Sequence, residues 1–98
     1  MNDLLLVLTP ADVEAALAQR VRGARKVRGW TQAELARRSG LSTATVARLE
    51  RSGQGQLSSL IRVCAALDRL DDFDAVLKVT APSSLDELRR LQSRTGAR

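Results

Sequence analysis

The sequence predicts an all-α fold: a compact bundle of about five helices with short N- and C-terminal extensions. Three observations carry that expectation. Apolar residues recur at spacings of three and four along most of the chain, the period of a helix with one buried face. The hydrophobic content of 44% is almost wholly aliphatic, with Trp30 and Phe73 the only aromatics, a composition that suits helices. Helix-starting and helix-stopping residues fall at the ends of the periodic stretches, and the two prolines, Pro10 and Pro82, lie where segments join. With 98 residues the chain is the size of one domain, large enough for a single core that it buries only modestly.

Residues 1–8, MNDLLLVL, form a β-prone or irregular lead-in. Five aliphatics in a row call for packing on the domain or on a second subunit. Thr9-Pro10 then starts the first helix, with Thr9 as cap and Pro10 at the first helical position. It runs to about Val27, with Val13, Leu17, Val21 and Ala24 along one side and Gly23 as a weak point. Arg28-Gly29-Trp30 is a turn. Thr31 and Glu34 have the T-x-x-E spacing of a capping box, so the next helix begins at Gln32. Ser39-Gly40 ends it, because glycine accepts the left-handed conformation just past a helix C-terminus. Leu41 is an apolar plug, and Ser42 caps the third helix. A helix of about seven residues, a turn of about three and a second helix make a helix-turn-helix, whose second helix usually enters the DNA major groove.

After Ser52, the tract Gly53 to Gln56 is a loop. Its G-x-G lacks the preceding strand and the further glycines that nucleotide binding needs. Leu57, Leu60, Ile61, Cys64 and Leu67 trace one face of a fourth helix, and Leu70, Phe73, Val76 and Leu77 a short fifth. The folded domain is thus expected over residues 9–78. Residues 79–98 read as a linker containing Pro82, a last short helix and a basic tail. In that helix Ser84 and Glu87 repeat the capping-box spacing, and Leu85, Leu88 and Leu91 are its apolar positions.

The formal charge of +5 is concentrated. Between Gln19 and Arg51 stand Arg20, Arg22, Arg25, Lys26, Arg28, Arg37, Arg38, Arg48 and Arg51, opposed only by Glu34 and Glu50, a net +7. That excess coincides with the helix-turn-helix and points to nucleic acid. The acids Asp68, Asp71, Asp72 and Asp74 read as ordinary helix-start residues. With no histidine and one cysteine, His or paired-Cys metal sites, a Cys/His dyad and a Ser-His-Asp triad are all excluded within one chain. The expected activity is therefore binding, with no enzyme chemistry and no cofactor. Cys64 reads as a small core residue, and its lack of an intrachain partner fits a reducing cytosol. The run Leu4 to Leu8 is far too short to span a bilayer, so a cytoplasmic protein with no membrane partner is expected.

At ~100° per residue, Thr43, Ala44, Ala47, Arg48 and Arg51 of the third helix fall in one arc, Val46 and Leu49 fall opposite, and Thr45 sits at the edge of the buried side. The outer arc begins with small residues, which let a helix approach the groove floor, and threonine or alanine methyls can meet a thymine methyl. Arg48 carries the fork that suits guanine O6 and N7. Thr43, Ala44, Ala47 and Arg48 are therefore the candidate base readers. Arg51 suits a phosphate. So does Gln32, where free backbone amides and a side-chain amide converge at a helix start. Thr31, Ser42 and Arg38 complete the candidate phosphate contacts.

The stretch GWTQAELARRSGLSTATVARLERSG resembles the Cro/phage-repressor-like (Xre-type) helix-turn-helix family, over roughly residues 16–67. The resemblance implies a lambda-repressor-like DNA-binding domain in which Gln32 contacts a phosphate and Thr43, Ala44 and Arg48 read bases. It also implies that Arg25 pairs with Glu50, which makes Arg25 structural rather than a DNA contact. If that pair is buried, removing one partner should cost on the order of 3–5 kcal/mol. The sequence departs from the family pattern where Thr and Ala replace amide side chains at base-reading positions, and in a short, uncharged loop from Gly53 to Gln56. Within the family, LTPADVEAAL and LDRLDDFDAVL look most like HipB-like antitoxins, which would add a kinase-fold toxin as partner and repression of the protein's own operon. The leading expectation is a homodimeric repressor of double-stranded DNA with a palindromic operator, and the antitoxin is the alternative. Leu4–Leu8 and Phe73–Leu91 are the candidate dimer surfaces.

Overall fold

A computed structural model describes residues 9–79 together with 89, 90 and 92. These residues contain α1 (Pro10–Val27), α2 (Gln32–Ser39), α3 (Thr43–Ser52), α4 (Leu57–Ala66) and a 3-10 helix (Leu70–Ala75), with no strand among them. The all-α expectation holds. The lead-in Leu4–Leu8, most of the expected last helix and the basic tail lie outside the described residues.

Local chemistry sets each boundary of the first three helices. The Thr9 hydroxyl accepts from the Asp12 amide at 3.1 Å and donates to the Asp12 carboxylate, so both ends of that first turn are satisfied. Thr31 Oγ1 accepts from the Glu34 amide at 3.0 Å, and Ser42 Oγ from the Thr45 amide at 3.1 Å. Gly40 stops α2 at φ +71°, and the Leu41 amide reaches back to the Ala36 carbonyl at 2.9 Å. This closure folds Leu41 onto the core.

α1 and α3 pack together, and α2 packs against both α3 and α4. The core between them consists of Val21, Leu35, Ala36, Val46, Leu49, Val63 and Leu67, with Ala24, Trp30, Leu41, Leu60 and Ala66 partly buried around it. Leu35, Val46 and Val63 are wholly inaccessible, and each such side chain stabilises the fold by about 1.5–3 kcal/mol. Gly53 marks the tightest approach: at φ +73°, a Cβ here would lie 2.2 Å from the Glu14 carbonyl oxygen of α1. Only glycine lets the end of α3 lie that close.

The structure corrects three expectations at the C-terminal side. α4 buries Ser59 and Val63, with Leu67 buried just past its end as expected, whereas Leu57 and Ile61 are exposed and Cys64 is only half-buried. The fifth helix is a 3-10 turn in which Phe73 alone is partly buried. Asp68, read as a helix-start acid, instead takes the left-handed position that closes α4 (φ +60°), with the Arg69 amide bonded to the Cys64 carbonyl at 2.7 Å.

Candidate nucleic-acid interface

The buried side of α3 is Val46 and Leu49, which hold the helix against α1 and α2. Thr43, Ala44, Arg48 and Arg51 are exposed, and Ala47 and Thr45 are half-buried at the margins. The Arg48 and Arg51 side chains make no hydrogen bond or ion pair with the described residues, although the Arg48 carbonyl accepts from the Ser52 hydroxyl at 3.1 Å. The helix therefore presents small side chains first and then two long cations.

Beneath this surface, α3 is fixed by a charge network. Glu50 receives Arg25 Nε at 2.6 Å, Arg25 Nη2 at 2.9 Å and Gln32 Nε2 at 3.1 Å. The carboxylate is 3% exposed and the guanidinium side chain 11%. Arg25 Nη1 also donates to the Trp30 carbonyl at 2.7 Å, so one side chain of α1 secures both the turn before α2 and the end of α3. Burial by itself would raise the Glu50 pKa. The hydrogen bonds from Arg25 and Gln32, with the charges of Arg25 and Arg22, outweigh it and hold the carboxyl below its usual value. The same pairing raises the Arg25 pKa further, against the opposing effect of burial.

The candidate phosphate contacts divide. Gln32 heads α2 with one amide proton engaged by Glu50, which leaves its second N–H as a donor. The Thr31 hydroxyl accepts from backbone, so its proton is also available. Ser42 lies 2.8 Å from the Thr45 hydroxyl, and either can donate. Arg38 is engaged elsewhere: its Nε pairs with Glu34 at 2.6 Å and its guanidinium stacks 4.3 Å from the Trp30 ring centroid. Arg28 lies over the same ring at 5.2 Å and donates to the Leu67 carbonyl at 2.8 Å, capping α4. Arg37 also pairs with Glu34. In the sequence Arg28 and Arg38 read as part of the cationic surface, with no sign that both meet the Trp30 ring.

This fold and this surface define a helix-turn-helix DNA-binding domain. A helix-turn-helix family profile matches residues 21–73, more than half of the chain, and the protein belongs to that family, of the Cro/C1, Xre-like type. It is a DNA-binding regulator of this class. No curated protein and no solved structure matches the chain significantly. No helix among the described residues is long and apolar enough to cross a membrane.

Proposed function

We propose that the protein is a dimeric, sequence-specific transcriptional repressor of the cytoplasm, acting by binding alone. It lays α3 in the major groove of a palindromic operator. The observation that carries this reading is the single outward arc of Thr43, Ala44, Arg48 and Arg51, exposed while Val46 and Leu49 anchor the same helix. Thr43 and Ala44 meet base edges through their methyl groups, and Arg48 forks onto a guanine. Arg51, Gln32, Thr31 and Ser42 fix the register on phosphates. Two such domains related by a two-fold axis would read half-sites about 34–36 Å apart.

Selection of bound duplexes from a random pool tests it. The expected result is a palindrome with half-sites one helical turn apart, bound more weakly as salt rises. A pool that shows no symmetric motif, or binding that Arg48→Ala leaves unchanged, would refute the proposal. The antitoxin alternative draws on the likeness of LTPADVEAAL and LDRLDDFDAVL, whose described residues form the start of α1 and the stretch through the 3-10 helix, and no feature of these elements favours it.

A further inference from the structure

Among the described residues, one face of the domain is largely apolar and open, and α3 contributes nothing to its centre. There a groove of about 640 Å3 runs between Leu17, Val21 and Ala24 of α1, Leu60 and Cys64 of α4, and Phe73 of the 3-10 helix. A hollow of about 230 Å3 shares Leu17, Val21 and Leu60 and extends the surface to Leu57. Val76, on the groove wall, is 60% exposed, and Leu57 68%. An apolar surface of this extent on so small a domain calls for a cover.

We propose that the chain's own C-terminal segment, residues 84–91, seats in this groove as an amphipathic helix. The described domain ends at Val79, three residues past Val76 on the groove wall. The six residues from there to Leu85 reach about 20 Å, whereas packed helix axes lie about 8–10 Å apart, so the segment can fold back over the groove. A linker this short holds its cargo at an effective concentration on the order of mM, which favours the same copy over a second one. Leu85, Leu88 and Leu91 form one stripe, and residues 89, 90 and 92 are helical. Glu87 and Arg89 flank that stripe at about 100° on either side. The groove has Arg20 on its α1 wall and, on its 3-10 wall, Asp72, which also pairs with Arg69 at 2.9 Å. One orientation of the segment therefore sets Glu87 beside Arg20 and Arg89 beside Asp72. Arg89 and Arg90 are both exposed, and Arg90 falls on the side opposite the leucines.

Cys64, the lone cysteine, lines the groove and supplies the test. Leu85→Cys, Leu88→Cys and Leu91→Cys are made singly in the full chain, with Arg90→Cys as the far-side control, and each is oxidised and run on a non-reducing gel. At least one leucine variant should form a disulfide within one chain, faster than Arg90→Cys does. A bond joining two chains, or no leucine variant faster than the control, overturns the proposal. A second measurement avoids introduced thiols: Leu88→Asp should make Cys64 react with a thiol reagent about tenfold faster than in the wild type, by releasing its cover. An unchanged rate also overturns it. DNA binding enters neither readout.

Discussion

Replacing Glu50 by alanine should be among the most damaging single changes to this domain. Its carboxylate is 3% exposed and accepts three hydrogen bonds, two of them from a guanidinium that is itself nearly buried. Truncation leaves Arg25 Nε and Nη2 facing a void with little access to water, and strands the Gln32 amide as well. Breaking one side of such a pair costs about 3–5 kcal/mol, a large part of the ~5–15 kcal/mol that stabilises a typical domain. Urea unfolding followed by circular dichroism measures it, and the midpoint should fall by more than about 1 M at an unchanged slope. Arg25→Met combined with Glu50→Leu should recover part of the loss, since an apolar pair of similar size carries no desolvation penalty. A loss for Glu50→Ala below about 1 kcal/mol, the size of an exposed ion pair, would refute the reasoning: Arg25 would then have water or another acceptor at hand.

Further outcomes follow from the same geometry. Gly53→Ala combines a left-handed φ with a Cβ placed 2.2 Å from the Glu14 carbonyl oxygen, and should cost more than about 2 kcal/mol in the same urea assay. Asp68→Gly should instead gain about 1 kcal/mol, because a non-glycine residue holds φ +60° there. Since the Glu50 pKa is lowered on folding, its stabilisation is present above the unfolded value of about 4.3 and is lost as pH falls through the folded value. An acid titration of stability should therefore decline below about pH 4, and more weakly in Glu50→Gln. In DNA binding, Arg51→Ala should reduce the slope of log K against log salt by about one, whereas Arg37→Ala, already paired with Glu34, should leave it nearly unchanged.

The first three helices were legible because each boundary is written in one or two residues: Thr9 before Pro10, Thr31 before Gln32, Ser39-Gly40, Ser42. The α3 wheel was equally readable, since only Val46 and Leu49 are large and apolar on it. α4 was not. Leu57, Leu60, Ile61, Val63, Cys64, Ala65, Ala66 and Leu67 are apolar almost all round, so the face that periodicity favours has close rivals. The expected stripe is turned by about 100°, one residue, from the buried one. The packing of α2 against α4 decides in favour of Ser59 and Val63, and the stripe the periodicity picks out is the one bordering the open groove. Three further contacts have no local signal at all: Gly53 against Glu14, Gln32 on Glu50, and the two arginines on Trp30. The first two join residues brought together only by the tertiary fold, and the third needs the turn before α2 to set Trp30 between two helices.

Those arginines change what the cationic segment means. Of its nine basic residues at least four, Arg25, Arg28, Arg37 and Arg38, are engaged within the domain. A guanidinium can donate several hydrogen bonds and stack on a ring at once, so in a chain with one tryptophan and one phenylalanine it ties helices together where larger aromatics would otherwise pack. The only acids in these pairs are Glu34 and Glu50, which the net +7 already counts, so the positive field of the segment survives the pairing. Field and contacts thereby separate. Long-range attraction to a polyanion follows the net charge, while the counterions released on binding follow the side chains that reach phosphates. The segment should accordingly speed association by more than its few direct contacts suggest, and the salt dependence of the equilibrium should reflect Arg51 and the helix-start donors rather than nine cations.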